Sequence, residues 1–113
     1  MSTAPSPKAR QILDVGQRLL QTRGYSGFSF RDIAAEVGIR SASIHYHFPK
    51  KVDLVLRITA DYREAFRAAL EAVETRESSA VARLDGYAGL FDATLVDFDR
   101  ICLCGMLASE ADL

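Results

Sequence analysis

The chain has 113 residues, 49% of them apolar and 26% charged, with a formal net charge of −1. That composition belongs to a folded globular protein and excludes a disordered, collagen-like or disulfide-stapled chain. No apolar run approaches the roughly 20 residues that span a bilayer, and residues 1–7 lack the apolar core of a signal peptide, so they read as a disordered arm on a cytoplasmic protein.

The near-neutral total hides an asymmetry. Residues 1–57 hold nine Lys/Arg against four acids, whereas residues 58–113 hold five Arg against eleven. A basic front on an acidic back suits a polyanion-binding head on a body that repels nucleic acid; chance clustering gives the same pattern.

Every long segment carries helical periodicity, and no alternating run reads as a strand, so the fold class is all-α. A first helix is expected from about Pro7 to about Thr22, with Ile12, Leu13, Gly16, Leu19 and Leu20 on one face and Gly24 as a left-handed cap. Ser29 and Asp32 form a capping-box pattern that opens a short second helix, which Gly38 closes. Ser41 is the expected cap of a third short helix, from Ala42 to about Phe48, which Pro49 breaks.

A long fourth helix starts near Lys50 or Lys51, with Leu54, Ile58, Tyr62, Phe66, Leu70 and Val73 as an apolar ladder. The polar run from Glu74 to Ser79 reads as the next break. A fifth helix, from about Ser79 to Asp97, carries Leu84, Tyr87, Ala88, Phe91, Leu95 and Phe98 on one face. Asp99 and Arg100 read as a turn, followed by an apolar segment in which Leu103, Met106, Leu107 and Leu113 have no evident partner.

Two short helices joined by a glycine-containing turn match a helix-turn-helix unit. The second of the pair must present a polar outer face to the major groove while its inner face is anchored. Ile44 and Phe48 are the expected anchors; Ser41, Ser43, His45, Tyr46 and His47 supply hydrogen-bonding groups and no carboxylate.

The stretch from Gly24 to Ile39, including Ser29, Arg31, Ile33, Ala34, Val37 and Gly38, together with Ile44-His45-Tyr46-His47-Phe48-Pro49-Lys50-Lys51 and Leu54, resembles the signature of the TetR/AcrR regulators. The resemblance covers roughly residues 8–56 without gaps. His45 departs from it, standing where the family most often has Tyr, and so does Lys50, where a small polar cap is usual.

The resemblance implies a three-helix DNA-binding domain at residues 8–56, then a long linking helix and the start of a ligand-binding and dimerisation domain at residues 57–113. It implies a DNA-binding transcriptional regulator, a repressor released from double-stranded operator DNA by an unidentified small-molecule inducer, acting as a homodimer without a cofactor. By position, Arg31 would contact phosphate or a base, Ser41, Ala42 and Ser43 would face base edges, and His45, Tyr46 and His47 would reach phosphates and the groove wall. Lys51 would meet a phosphate at the start of the fourth helix. Structural readings remain open beside these: Tyr46 or His47 as helix packing, Lys50 and Lys51 as a solvated pair.

Tyr62, Phe66, Tyr87, Phe91, Leu95 and Phe98 are candidate inducer-pocket residues, although an aromatic stripe at helical spacing is more often plain core. Cys102 and Cys104 are either small buried apolar residues, the commoner fate, or a redox-sensing pair. Family members run to nearly twice this length and dimerise through their last two helices, so the sequence reads as an incomplete member. The rival function is a helical protein- or ligand-binding module that does not touch DNA. An enzyme ranks behind both, since the sequence has no Ser/His/Asp arrangement, metal-ligand cluster or glycine-rich phosphate loop.

Overall fold

The computed structural model describes residues 4–96, 100 and 102–110. Six α-helices hold most of them, and there is no strand among the described residues.

Helix α1 (Pro7–Arg23) begins where the Ser6 side chain accepts the Ala9 N–H at 3.2 Å, with Pro7 in the first turn. It buries Ile12, Leu13, Leu19 and Leu20. Gly24 ends it by donating to the Leu20 carbonyl at 3.0 Å. Its φ of 80° is positive as expected, but its ψ of 174° is extended rather than left-handed helical. The chain therefore leaves α1 straight into a 3₁₀ turn at Tyr25–Gly27 instead of curling into an αL cap.

In α2 (Phe30–Val37) the Asp32 carboxylate accepts the Ser29 N–H at 2.8 Å, the reciprocal half of the capping box. Gly38 terminates α2 in true αL geometry, φ 80° and ψ 36°. Helix α3 (Ser41–His47) starts one residue before the expected Ala42. Arg40 holds the cap position, and Ser41, expected as the cap, is the first helical residue. Arg40's carbonyl already accepts the Ser43 N–H at 2.9 Å, which closes the first turn without a side-chain cap.

Helix α4 (Lys51–Arg76) tolerates Lys50 at its cap because the Asp53 carboxylate accepts the Lys50 N–H at 3.0 Å. It outruns the expected break at Glu74. Val73 is buried, and Arg83 reaches back to the Glu77 and Glu74 carbonyls at 2.9 and 3.2 Å, satisfying acceptors the helix end leaves open. Helix α5 (Ala80–Val96) opens with the Ser79 hydroxyl accepting the Ala82 N–H. The expected end of this helix at Asp97, and Phe98, Asp99, Ile101 and Leu113, lie outside the described residues.

Helix α6 (Leu103–Ser109) overturns one expectation. Leu103 is fully buried and joins a single core with Ile12, Leu13, Leu20, Phe28, Ile33, Ile44, Leu54 and Ile58; Leu107 packs against it. The partner that the linear sequence hides is α1, about ninety residues upstream, onto which α6 folds back. Full burial of each such Leu or Ile contributes roughly 1.5–3 kcal/mol, so α6 is bound to the first three helices by the force that holds those helices together.

Candidate nucleic-acid interface

Helix α3 is pinned from beneath and bare above. Ile44 is 0% exposed and Phe48 is 8% exposed, both inside the core, whereas Tyr46 is 84% exposed. Ala42, Ser43 and His45 are exposed with it, and Ser41 and His47 are half-buried. The two anchors lie four residues apart, one turn along the same face, which leaves the intervening positions to the outside.

His45 is held more firmly than its exposure suggests. Its ring lies 4.8 Å from that of Phe30, and Nδ1 sits 3.1 Å from the Pro49 carbonyl. A carbonyl only accepts, so Nδ1 carries the proton, and in the neutral tautomer this leaves Nε2 as an acceptor. In that state His45 matches an exocyclic amino group on a base edge better than a phosphate oxygen. The Tyr46 and His47 rings meet edge to face at 5.2 Å, which fixes their directions on the outer face.

Arg31, on α2, is exposed and makes no ion pair among the described residues. It lines a shallow recess with Ser29, Ser41 and His45, so two helices bring a guanidinium, two hydroxyls and an imidazole around one opening. Lys51 borders the same recess but its ammonium is engaged elsewhere. It donates to the Tyr25 and Phe28 carbonyls and lies 4.6 and 4.3 Å from the centres of their rings. Partial burial pushes Lys51 below the usual lysine range, opposed by the charges of Glu110 and Asp32. Its place is under the 3₁₀ turn, holding that turn to the start of α4. Lys50, beside it, is exposed.

The second half of the chain holds a cavity of about 410 Å³ between α4, α5 and α6. Of the six aromatic and aliphatic candidates, Tyr62, Phe66 and Phe91 line it, with the Phe66 and Phe91 rings 5.3 Å apart. Tyr87 does not; it donates to Glu74 at 3.0 Å near the α4–α5 connection. Leu95 is 58% exposed and off the cavity, and Phe98 lies outside the described residues.

Cys102 and Cys104 also line the cavity, together with Leu103, Leu107, Thr59, Leu70, Arg63 and Arg67. Cys102 is half-buried and Cys104 exposed, so neither is the fully buried small residue of the structural reading. The Tyr62 hydroxyl donates to Cys102 Sγ at 3.5 Å. Burial alone would raise the Cys102 thiol; the Tyr62 hydroxyl and the Gly105 and Cys104 N–H groups outweigh it and bring the thiol below its usual value. Burial, followed by the neighbouring Cys102, pushes Cys104 up. Tyr62 is pushed up to about 12 by burial and by its bond to Cys102, so it remains a hydrogen donor at neutral pH.

Sequence reasoning missed one connecting residue. The Glu110 carboxylate, just past α6, accepts the Tyr25 and Ser26 N–H groups at 2.9 and 3.3 Å. It ties the end of α6 to the turn that precedes α2. An isolated glutamate near the end of an apolar segment carries no sign of a partner about 85 positions away.

Residues 12–58 match the family described as bacterial regulatory proteins of the tetR family. The HTH-type transcriptional repressor KstR2 of Rhodococcus jostii is 34% identical over 85 residues, which cover 68% of this chain and 42% of that protein. A TetR-family transcriptional regulator from Agrobacterium tumefaciens superposes with a TM-score of 0.87 at 39% identity, over 91% of this chain and 55% of that one. A TetR regulator from Legionella pneumophila does so at 0.84 and 34%, over 97% of this chain and 59% of its own. The chain thus spans about half the length of the proteins it resembles.

Proposed function

Because the chain is a TetR-like regulator, its all-helical fold and residues 12–58 placing it with that family, we propose that it reads operator DNA through α3 and is released when a small molecule fills the cavity between α4, α5 and α6. The observation that carries the reading is the two-sidedness of α3: Ile44 and Phe48 locked into the core, Tyr46 almost wholly bare, and no carboxylate on the outer face.

In this reading Ser41, Ala42 and Ser43 lie against base edges near the start of α3, with His45 accepting from a base amino group. Tyr46 and His47 meet the groove wall, and Arg31 takes a phosphate across the recess it shares with Ser41. Lys51 supports the interface indirectly by fixing the turn before α2. The head is residues 8–56 and the ligand-binding body begins at residue 57. Two chains pair as a homodimer that sets two heads on half-sites. The role is regulatory rather than catalytic and is carried out in the cytoplasm.

Fluorescence anisotropy on duplexes enriched from a random pool tests this. Tyr46→Ala is expected to lower affinity at least tenfold with an unchanged helical circular dichroism spectrum. Arg31→Ala is expected to flatten the dependence of log K on log salt by about one unit. Wild-type affinity and salt slope in both variants would remove α3 and Arg31 from the interface. A shallow salt slope in the wild type would favour the rival protein-binding module.

A further inference from the structure

The cavity between α4, α5 and α6 has a distinctive distribution of unmet needs. Its walls are built from Phe66, Phe91, Leu70, Leu103 and Leu107, and its interior polar groups already serve one another, Tyr62 donating to Cys102. Among the described residues no buried side-chain polar atom is left without a partner. A ligand body lying inside is therefore asked for no hydrogen bond and gains most by being apolar.

The charges on the lining are unequal. Among the described residues no carboxylate lines the cavity, whereas Arg63 and Arg67 both do. Arg67 is neutralised within α4, by Glu64 at 2.7 Å and Glu71 at 3.0 Å. Arg63 has no carboxylate within 4 Å among the described residues, its charge acts at longer range on the adjacent Glu64, and it is exposed. An exposed guanidinium on the lining of an apolar chamber is suited to a carboxylate, which it grips with two parallel N–H bonds. At about 410 Å³ the chamber falls at the small end of the roughly 300–1,000 Å³ range of small-molecule sites.

We propose that the ligand of this cavity is an organic acid with an apolar body, seated between Phe66 and Phe91 with its carboxylate on Arg63. The inference rests on the cavity being the ligand site of the regulator and adds the class of ligand.

Decanoate and its neutral isostere decanamide separate the two contributions. Calorimetric titration of the 113-residue chain, without DNA, is expected to show decanoate binding at least tenfold tighter than decanamide. Arg63→Gln is expected to bring that ratio close to one while decanamide binding stays as in the wild type; Arg63 is exposed, and circular dichroism checks that the fold is retained. Phe91→Ala is expected to weaken both ligands together. Equal affinities in the wild type, no binding of either ligand, or a preference that survives Arg63→Gln would overturn the proposal. Because DNA is absent from these titrations, such a result leaves the anisotropy measurements on α3 and Arg31 intact, and a failure there leaves the ligand preference intact.

Discussion

Helices α2 and α5 illustrate how little helix length says about stability. Helix α2 has eight residues and buries three of them; α5 has seventeen and buries none, with Val81, Leu84, Leu95 and Val96 at least 58% exposed. Both are amphipathic enough to be read as helices from sequence. The difference is neighbours: α2 packs on α1 and α3, whereas among the described residues α5 packs mainly on α4. An apolar stripe stabilises a fold only in proportion to what covers it.

The largest effect is expected at α6, which is short, lies late in the chain and yet belongs to the tight region. Leu103→Ala is expected to cost about 2–5 kcal/mol, as Ile33→Ala does, since both side chains are fully enclosed. Urea unfolding of both variants measures it. A loss under about 1 kcal/mol for Leu103→Ala alone would detach α6 from the core.

Next in size is Lys51. Removing an ammonium that holds two carbonyls is expected to cost about 1.5–3 kcal/mol while the salt slope of DNA binding changes little. An unchanged melting temperature with a flattened slope would instead make Lys51 a phosphate ligand.

Tyr62 is distinguishable spectroscopically, since it is partly buried and donates to Cys102. Raised to about 12, it stays protonated while an unfolded tyrosine ionises near 10. The folded state then holds more protons than the unfolded one, so this group lowers stability as pH rises from about 10 to about 12. Tyrosinate absorbance is expected to show a late component near pH 12 that Tyr62→Phe abolishes and Cys102→Ala moves downward.

The smallest effect is expected on α5: Leu84→Ser, at a side chain 66% exposed, should shift stability by no more than about 0.5 kcal/mol. A loss as large as that of Ile33→Ala would mean that α5 is covered in solution.

The local features were legible because their causes are local. Ser29 with Asp32, Gly38 and Pro49 each act on residues within four positions, and the structure has their helix ends in place. The anchoring of Ile44 and Phe48 followed from spacing on a single helix. The side chain of Lys51 was harder to read, because the carbonyls it holds sit in a turn more than twenty residues upstream. Leu103 and Glu110 were illegible for the same reason in stronger form: their partners are on α1 and the turn after it, and no periodicity records which distant helix a stripe will meet. All three aromatic residues that line the cavity, Tyr62, Phe66 and Phe91, were legible. Tyr87 and Leu95 shared their spacing but face other surroundings.

The contact between Glu110 and the turn at Tyr25 gives Gly24 a second meaning. A methyl group built on Gly24 would stand 1.6 Å from a Glu110 carboxylate oxygen, and the residue's φ of 80° already disfavours any side chain there. One added carbon atom would thus swing the glutamate aside and undo the tie between the end of α6 and the first three helices. The missing side chain at position 24 behaves as a socket for the Glu110 carboxylate, and filling it is the smallest edit that loosens the contact between the end of α6 and the turn before α2.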